Sequence, residues 1–192
     1  MGLTGLLGGA FDPPHVGHVE LAKAAIERFD LDRLLVLPTG DPPHKSVRTP
    51  AEIRYRLAEA AFSEVPGVEL SRFELERPGP SYTVDTVRWA AERYGDVLFI
   101  VGADHWASFD RWHDPEGVLR HARLAVVARP GIDAPGPRDR VELFEMPPAN
   151  VSSTEVRERV ARGEPVDGLV PPKVEELIDE LGLYRDHAPG GV

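Results

Sequence analysis

The sequence predicts an α/β fold of Rossmann-like type: a doubly wound parallel sheet of about six strands, helices on both faces, and a small C-terminal helical part. Six short β-rich runs alternate with helical patterns, which is typical of parallel strands joined by helices. Several of these runs are almost continuously apolar, as expected for strands buried on both faces. The runs are Thr4–Gly8, Arg33–Pro38, Val68–Phe73, Val97–Gly102, Arg123–Ala128 and Val141–Met146.

The length and composition indicate one domain. The chain has 192 residues, of which 42% are hydrophobic, and this is enough to build a single core. We find no internal repeat and no domain boundary. Residues 1–185 are therefore predicted to form one domain, and residues 186–192 are predicted to be a disordered tail.

The charge and residue usage exclude several classes of protein. The formal net charge is −10, with 32 acidic and 22 basic residues, which argues against a surface that binds nucleic acid. We expect no membrane span and no signal peptide, because long apolar runs and a basic N-terminal region are missing. The absence of cysteine excludes disulfides and thiol catalysis, and it favours a reducing, cytoplasmic location. A homo-oligomer is compatible with the sequence.

The first strand leads into a glycine turn and a helix. The apolar run ends in Gly8-Gly9, and a helical pattern begins near Gly17-His18 and continues to Phe29. A strand, a glycine turn and a helix start present backbone N–H groups to a phosphate. His15 and His18 are spaced so that both imidazoles can face one anion, with room left by Gly17. The same pair could be a metal pair or solvated loop residues, although zinc would need a third protein ligand.

The string Gly-Gly-x-Phe-Asp-Pro-x-His-x-Gly-His resembles the nucleotidyltransferase superfamily built on the H-x-G-H signature, in its nicotinate-mononucleotide adenylyltransferase branch. The resemblance implies that His15 and His18 are catalytic. Ala10 departs from the pattern, where a threonine is common, and this puts one hydroxyl contact in doubt. The ATP-binding residues implied in this segment are Gly8, Gly9, Ala10, Phe11 and Gly17.

A polar, proline-rich loop follows the second strand and contains His44 and Lys45. Both could be ordinary surface residues. The resemblance instead implies that they contact the nicotinate nucleotide from a loop over the cleft, with Lys45 also catalytic. The next helix is predicted to start with Thr49 as N-cap and Glu52 in a capping box. Arg54 in that helix also resembles a family position, but it is left without a role, since a helical arginine is more often a surface ion-pair partner.

The third helix is preceded by Ser81-Tyr82-Thr83, and Ser81 or Thr83 can cap it. Ser-Tyr-Thr-x-Asp-Thr is a second signature of the same family. The resemblance implies that Ser81, Tyr82 and Thr83 bind the nicotinate nucleotide, where the helix N-terminus would suit a carboxylate.

The fourth strand ends at Gly102, and Asp104 follows it. Ligands of open α/β sheets bind at the carboxyl ends of the strands that flank the switch point, which are commonly the first and the fourth. Gly102 would let adenine approach the backbone, and Asp104 would accept hydrogen bonds from ribose or base. The resemblance implies that Trp112 and His113 bind the nicotinate nucleotide. Trp112 is either a core residue or a surface on which the pyridine ring stacks. The family it resembles often has an aromatic residue at the position of His113, and this departure weakens the stacking interpretation slightly. Trp106 and Phe109 are expected to pack.

The loop after the fifth strand, from Arg129 to Arg140, is expected to be exposed, and Arg129 is either near the nucleotide or on the surface. After the sixth strand, Val-Ser-Ser-Thr-x-Val-Arg resembles a further family motif. Its hydroxyls are ordinary helix caps, yet the resemblance implies a second anion site in which Ser153 and Thr154 bind ATP and Arg157 is catalytic. The final helix is predicted from Pro172 to Leu181, with Gly182 as its stop.

The sequence contains neither a P-loop nor a nucleophile elbow, so nothing indicates a covalent intermediate. The resemblance implies that the 5′-phosphate of nicotinate mononucleotide attacks ATP and gives nicotinate adenine dinucleotide and pyrophosphate. Mg²⁺ would be held mostly by substrate and water, without a dedicated metal site on the chain. The alternatives are a phosphopantetheine or nicotinamide-mononucleotide adenylyltransferase, and a nucleotide-sensing module without turnover.

Overall fold

The structure, a computed structural model, describes residues 2–42, 47, 49–128, 139–147 and 149–185. Strands and helices alternate along most of the chain, as predicted. The strands are β1 Thr4–Gly9, β2 Arg33–Pro38, β3 Val68–Leu70, β4 Val97–Gly102, β5 Arg123–Val127 and β6 Val141–Phe144. The helices are α1 Val16–Phe29, α2 Ala51–Phe62, α3 Thr83–Tyr94, α4 Ala103–Trp106, α5 Pro115–His121, α6 Ser153–Ala161 and α7 Pro172–Glu180, with a 3₁₀ turn at Phe109–Arg111.

The six strands form one sheet in the order β3-β2-β1-β4-β5-β6, and all neighbours are parallel. This is the strand order of a doubly wound sheet, with its switch point between β1 and β4. The predicted fold class is therefore confirmed, and so is the expectation that the first and fourth strands are neighbours.

Two hydrophobic cores lie on opposite faces of the sheet, because alternate strand residues point to opposite sides. Helices α1, α2, α6 and α7 cover one face, and α3 and α5 cover the other. The first core includes Leu7, Val36, Ala22, Leu57, Val156 and Val174. The second includes Leu6, Leu35, Val84, Val87 and Val118. None of the helices in the described part of the chain is long and apolar enough to span a membrane.

Both edge strands are shorter than predicted. β3 ends at Leu70 rather than Phe73, and β6 ends at Phe144 rather than Met146. An edge strand has a neighbour on one side only, so its length depends on that single partner. Phe73 and Met146 lie beyond these ends and continue the apolar pattern of the sequence, but they are not part of the hydrogen-bonded strands.

The predicted start of α2 is wrong. The helix begins at Ala51 with Pro50 as its N-cap, rather than with Thr49. The Glu52 side chain pairs with Arg72 at 2.7 Å instead of reaching back to the helix start. An arginine from a distant segment therefore replaces the local backbone partner that the capping-box pattern predicts.

The residues at the ends of three later helices are of the types that usually cap or stop a helix. The Asp114 side chain accepts a hydrogen bond from the N–H of Gly117 at 2.9 Å at the start of α5. The Ser152 hydroxyl accepts from the N–H of Glu155 at 3.1 Å at the start of α6. Gly182 follows α7 with a φ of 59°, a conformation that glycine adopts readily at the end of a helix.

Candidate active site

The segment from Gly8 to His18 lies where β1 and β4 separate. The last pair between these strands is Leu7 with Ile100, although β1 continues beside β2 as far as Gly9. β4 likewise continues beside β5 as far as Gly102. The carboxyl ends of β1 and β4 therefore diverge, and this leaves the crevice that open α/β sheets use for ligands.

The side chain of Phe11 anchors this segment in the first hydrophobic core. Its side chain is only 2% exposed and packs edge-on against Phe62, with ring centroids 5.8 Å apart. Its φ is 50°, a left-handed conformation that costs a non-glycine residue about 1 kcal/mol or more. The predicted contact of Phe11 with ATP therefore falls to its backbone, because the side chain belongs to the core.

His15 and His18 are held together at the start of α1. The N–H of His15 donates to Nδ1 of His18 at 3.1 Å. The two rings are stacked with their centroids 3.7 Å apart, and His15 is buried while His18 is half-buried. The structure thus brings the two predicted imidazoles to the same side of the helix start. Their catalytic role stays a prediction.

The missing side chain of Gly17 leaves space for Ala149 and the His15 ring, and not only for a ligand. A Cβ at this position would lie 2.8 Å from the Cβ of Ala149 and 3.1 Å from the His15 ring. Both distances are too short for a carbon atom to be added without movement. The glycine therefore permits the close approach of the chain before α6, which the sequence pattern did not indicate.

The start of α6 is bonded directly to the segment after β1. The Ser153 hydroxyl donates to the C=O of Pro13 at 2.8 Å. Nη1 of Arg157 donates to the C=O of Asp12 at 2.6 Å, and Nη2 donates to the Thr154 hydroxyl at 3.1 Å. The first and the last of the predicted anion-binding motifs therefore meet, although about 140 residues separate them.

Arg54 is a functional candidate that the sequence reasoning missed. Its side chain is 2% exposed, not on the surface, and its guanidinium donates to three backbone carbonyls. These belong to Ala10 at 2.9 Å, Gly40 at 3.1 Å and Thr49 at 3.1 Å. Burial lowers the pKa of Arg54, an effect that the nearby Asp12 carboxylate opposes. Arg54 thus joins the loops that follow β1 and β2.

A signal for Arg54 was present in the sequence. Arg54, Leu57, Ala58 and Ala61 follow one another at helical spacings of three and four, and all of them are buried. An arginine inside an apolar stripe must have polar partners, because an unpaired buried charge is very costly. The stripe could therefore have indicated that Arg54 is buried, although not which groups it bonds to.

Glu74 is a second buried charged residue, and it lies beside the loop after β2. Its carboxylate accepts a hydrogen bond from the Thr86 hydroxyl of α3 at 2.8 Å. Burial raises the pKa of Glu74, and hydrogen bonds from Thr86 and Ser81 partly offset this effect. A Cβ at Gly40 would overlap the backbone carbonyl of Glu74, so only glycine fits there.

The prediction that Ser81 or Thr83 caps α3 is wrong. The helix begins at Thr83 with Tyr82 as N-cap, and no side-chain cap is formed. The Ser81 hydroxyl instead accepts a hydrogen bond from the N–H of Asp41 at 3.3 Å, and the N–H of Ser81 donates to the C=O of Asp41 at 2.9 Å. Ser81 therefore fastens the loop after β2 to the start of α3. Amide hydrogens in the first turn of α3 are left without a partner within the helix.

Two of the segments predicted to bind the nicotinate nucleotide are in contact. The rings of Tyr82 and His113 are stacked with their centroids 4.3 Å apart. Trp112 is half-buried, and its ring packs against Phe109 and Phe99 at centroid distances of 5.3 Å and 6.3 Å. Trp112 therefore packs as a core residue on one side and keeps part of its surface exposed.

The remaining predicted positions lie at the end of β4. Among the described residues, no atom lies within 4 Å of the place where a Cβ of Gly102 would stand, so its α-carbon borders open space in that part of the structure. Asp104 is exposed in the first turn of α4. Trp106 stacks on Phe109 with centroids 4.7 Å apart, which agrees with the packing expected for both.

Comparison with known proteins shows the family of this chain. Residues 6–159 match the family described as cytidylyltransferase-like. A Thermus thermophilus protein named "probable nicotinate-nucleotide adenylyltransferase" is 45% identical over 94% of this chain and 98% of its own length. A protein of the same name from Exiguobacterium sibiricum is 42% identical over 94% of this chain and 97% of its own length.

The chain belongs to the nicotinate-nucleotide adenylyltransferases of the cytidylyltransferase-like family. Among solved structures, the Plasmodium falciparum nicotinic acid mononucleotide adenylyltransferase complexed with NaAD superimposes with a TM-score of 0.80. The alignment covers 96% of this chain and 98% of that one, at 16% identity, so this likeness concerns the fold.

Several positions for which a prediction was made from the sequence lie outside the described residues. These are His44 and Lys45 of the loop after β2, Arg129, and the tail from residue 186 onward. Their predicted roles remain predictions. Within the described ranges, no group of three or more histidine or carboxylate side chains is placed to hold a metal ion.

Proposed function

We propose that this chain transfers the adenylyl group of ATP to nicotinate mononucleotide. A phosphate oxygen of the mononucleotide forms a bond to the α-phosphorus, the bond from that phosphorus to the bridging oxygen breaks, and pyrophosphate leaves. The products are nicotinate adenine dinucleotide and pyrophosphate, with no covalent enzyme intermediate. The observation that carries this proposal is the contact between Arg157 and the Asp12 carbonyl, which places a guanidinium beside the histidine-bearing loop.

The triphosphate would lie over the start of α1. Backbone N–H groups after Gly9 and the N-terminus of α1 favour an anion there. His15 and His18 would stabilise charge on the triphosphate, with His18 the more important because it is less buried. Arg157 and Lys45 would hold the outgoing pyrophosphate. Such chemistry depends on position and on charge stabilisation, and needs no nucleophile from the protein.

Magnesium would arrive with ATP. The described residues offer no ready-made cage of histidine and carboxylate ligands. Mg²⁺ usually keeps several waters and binds substrate phosphates rather than a site made only of protein ligands. The ion would neutralise negative charge on the phosphates. The chain contributes the cationic side chains and the amide hydrogens around it.

The adenosine and the nicotinate nucleotide would occupy neighbouring parts of the crevice. Gly102 presents open space to the base, and Asp104 is exposed to accept hydrogen bonds from it or from the ribose. On the nicotinate side, the first turn of α3 lacks a side-chain cap and can receive the ring carboxylate. The Tyr82–His113 pair lies next to that turn.

The test is an incubation of the protein with ATP, Mg²⁺ and one acceptor at a time. The acceptors are nicotinate mononucleotide, nicotinamide mononucleotide and 4′-phosphopantetheine. We expect pyrophosphate and the dinucleotide to form in equal amounts, and fastest with nicotinate mononucleotide. Faster reaction with either other acceptor would assign the chain to that activity instead. ATP binding without release of pyrophosphate from ATP in the presence of any of the three acceptors would indicate a nucleotide-sensing module.

A further inference from the structure

Tyr184 contacts the candidate ATP loop from the far end of the chain. It follows α7, just beyond the Gly182 turn, and its ring packs against the first core. Its φ is 61°, a left-handed conformation that a tyrosine rarely adopts. The hydroxyl donates to Oδ1 of Asp12 at 2.7 Å across a sequence separation of 172 residues.

Asp12 is the point where several distant groups meet. Its side chain is 7% exposed, so the carboxylate has little water to solvate it. A buried carboxylate is stable only when it is hydrogen-bonded or paired with a charge. The Tyr184 hydroxyl supplies a hydrogen bond, and the Arg54 guanidinium interacts with the carboxylate electrostatically. The backbone carbonyl of Asp12 accepts the 2.6 Å hydrogen bond from Arg157.

The attachment of α7 does not require this hydroxyl. Val174 and Ile178 of α7 are buried in the first core, and Lys173 pairs with Glu64 at 3.0 Å. The Tyr184 ring also packs there without its oxygen. The bond to Asp12 therefore adds a specific connection to the loop after β1, beyond what packing the helix needs.

We propose that Tyr184 is a positioning residue for ATP: it fixes the Asp12 side chain, and thereby the Asp12 peptide on which the Arg157 guanidinium rests. This inference depends on the proposed function. The Tyr184 hydroxyl holds the side-chain carboxylate of Asp12, while the backbone carbonyl of Asp12 accepts the hydrogen bond from Arg157. The guanidinium and the amide hydrogens of the loop are then already in place when the triphosphate binds, which lowers the entropic cost of binding.

The state of the hydroxyl agrees with this role. Burial and the neighbouring Asp12 carboxylate raise the pKa of Tyr184, while a hydrogen bond with the Thr49 side chain and the charge of Arg157 have weaker opposite effects. The phenol therefore remains protonated and keeps donating at neutral pH. Hydrogen bonds to a charged partner are stronger than those between neutral groups.

The test is Tyr184→Phe, which removes one oxygen and keeps the ring. We expect the Kd of a non-hydrolysable ATP analogue, measured by calorimetry, and the KM for ATP to rise about tenfold. The KM for nicotinate mononucleotide should stay unchanged. The matched control is Tyr55→Phe in α2, because that ring lies under the Arg72 guanidinium on the outside of the helix.

A second variant tests whether Tyr184 acts through Asp12. In an Asp12→Ala background, Tyr184→Phe should cause no further loss of affinity for the ATP analogue. Additive losses would contradict the mechanism. If Asp12→Ala does not fold, Tyr184→Phe alone decides the question: unchanged ATP affinity, or equal losses for both substrates, would overturn the role of Tyr184. No dinucleotide from the unaltered protein would instead overturn the proposed function.

Discussion

Two buried charged side chains, Arg54 and Glu74, organise the loops around the crevice. Arg54 holds the carbonyls of Ala10 and Gly40 from below. Glu74 lies on the other side of Gly40 and accepts from Thr86 of α3. Gly40 is therefore held between an arginine that also bonds to Ala10 after β1 and a glutamate that also bonds to α3.

Replacing Arg54 with methionine should destabilise the protein by about 3 kcal/mol, because buried carbonyls lose their donors while the volume is nearly kept. Chemical denaturation at neutral pH measures this loss. The matched control is Arg56→Met on the exposed face of the same helix, where the expected change is within about 0.5 kcal/mol. Similar free energies of unfolding for both variants would contradict the structural role of Arg54.

Glu74 gives a pH-dependent prediction. Its pKa in the native state is raised above 4.5, so the native protein binds this proton more tightly than the unfolded chain. The stability linked to Glu74 is thus greatest below pH 4.5 and is lost as the pH rises through the native pKa. Glu74→Gln removes this loss and keeps an acceptor for Thr86.

We therefore expect the free energy of unfolding of Glu74→Gln, relative to the unaltered protein, to increase from acidic to neutral pH and then to level off. Denaturation curves over that range measure it. Glu92→Gln, on the exposed side of α3, controls for removing one negative charge from a chain of net charge −10. A difference that falls with increasing pH would contradict the raised pKa.

The residue types at the crevice were predictable, but several of their partners were not. The spacing of His15 and His18 indicated two imidazoles at one helix start, and the structure places them in contact. The roles of Arg54 and Glu74 depend on loops that only the folded chain brings near. Their buried hydrogen bonds leave no periodic pattern that identifies the partner.

At the scale of elements, the crevice is built from strand ends and helix starts. The carboxyl ends of β1 and β4 border it, and α1 and α6 begin beside it. The sequence predicted these elements well, because apolar periodicity and turn residues act locally. It failed at the starts of α2 and α3, where Glu52 and Ser81 bond to distant partners instead of their own helices.

The end of β4 gives a test of one predicted contact. Gly102 has extended backbone angles, with φ −72° and ψ 151°, and no atom of the described residues lies within 4 Å of the position that an added methyl group would take. Gly102→Ala should therefore leave the stability unchanged or raise it by about 0.4–1 kcal/mol. If adenine approaches this backbone, the methyl group will raise the KM for ATP.

Steady-state kinetics and thermal unfolding of Gly102→Ala measure both effects. The KM for nicotinate mononucleotide serves as the internal control, since that substrate is proposed to bind nearer α3. An unchanged KM for ATP in a stable variant would show that adenine does not lie against Gly102.

At the scale of the whole molecule, the chain has a net charge of −10, yet two cationic side chains, Arg54 and Arg157, lie at one edge of the sheet. Local positive charge in a cleft can attract an anion to an acidic protein. The doubly wound parallel sheet followed from the alternation of strands and helices, and the neighbouring β1 and β4 followed from the strand order common in such sheets. The contacts of residues 153, 157 and 184 with the loop after β1 did not, because they join segments 140 or more residues apart.

The central claim is that this edge stabilises the charge of a reacting triphosphate, and the turnover of His18→Ala tests it most directly. The variant loses the acceptor for the N–H of His15, which should cost about 1 kcal/mol of stability and leave the fold intact. His121→Ala, at the end of α5, is the control. We predict that kcat for nicotinate adenine dinucleotide formation falls about a hundred- to a thousandfold in His18→Ala alone. A near-normal kcat in a folded His18→Ala protein would contradict the account.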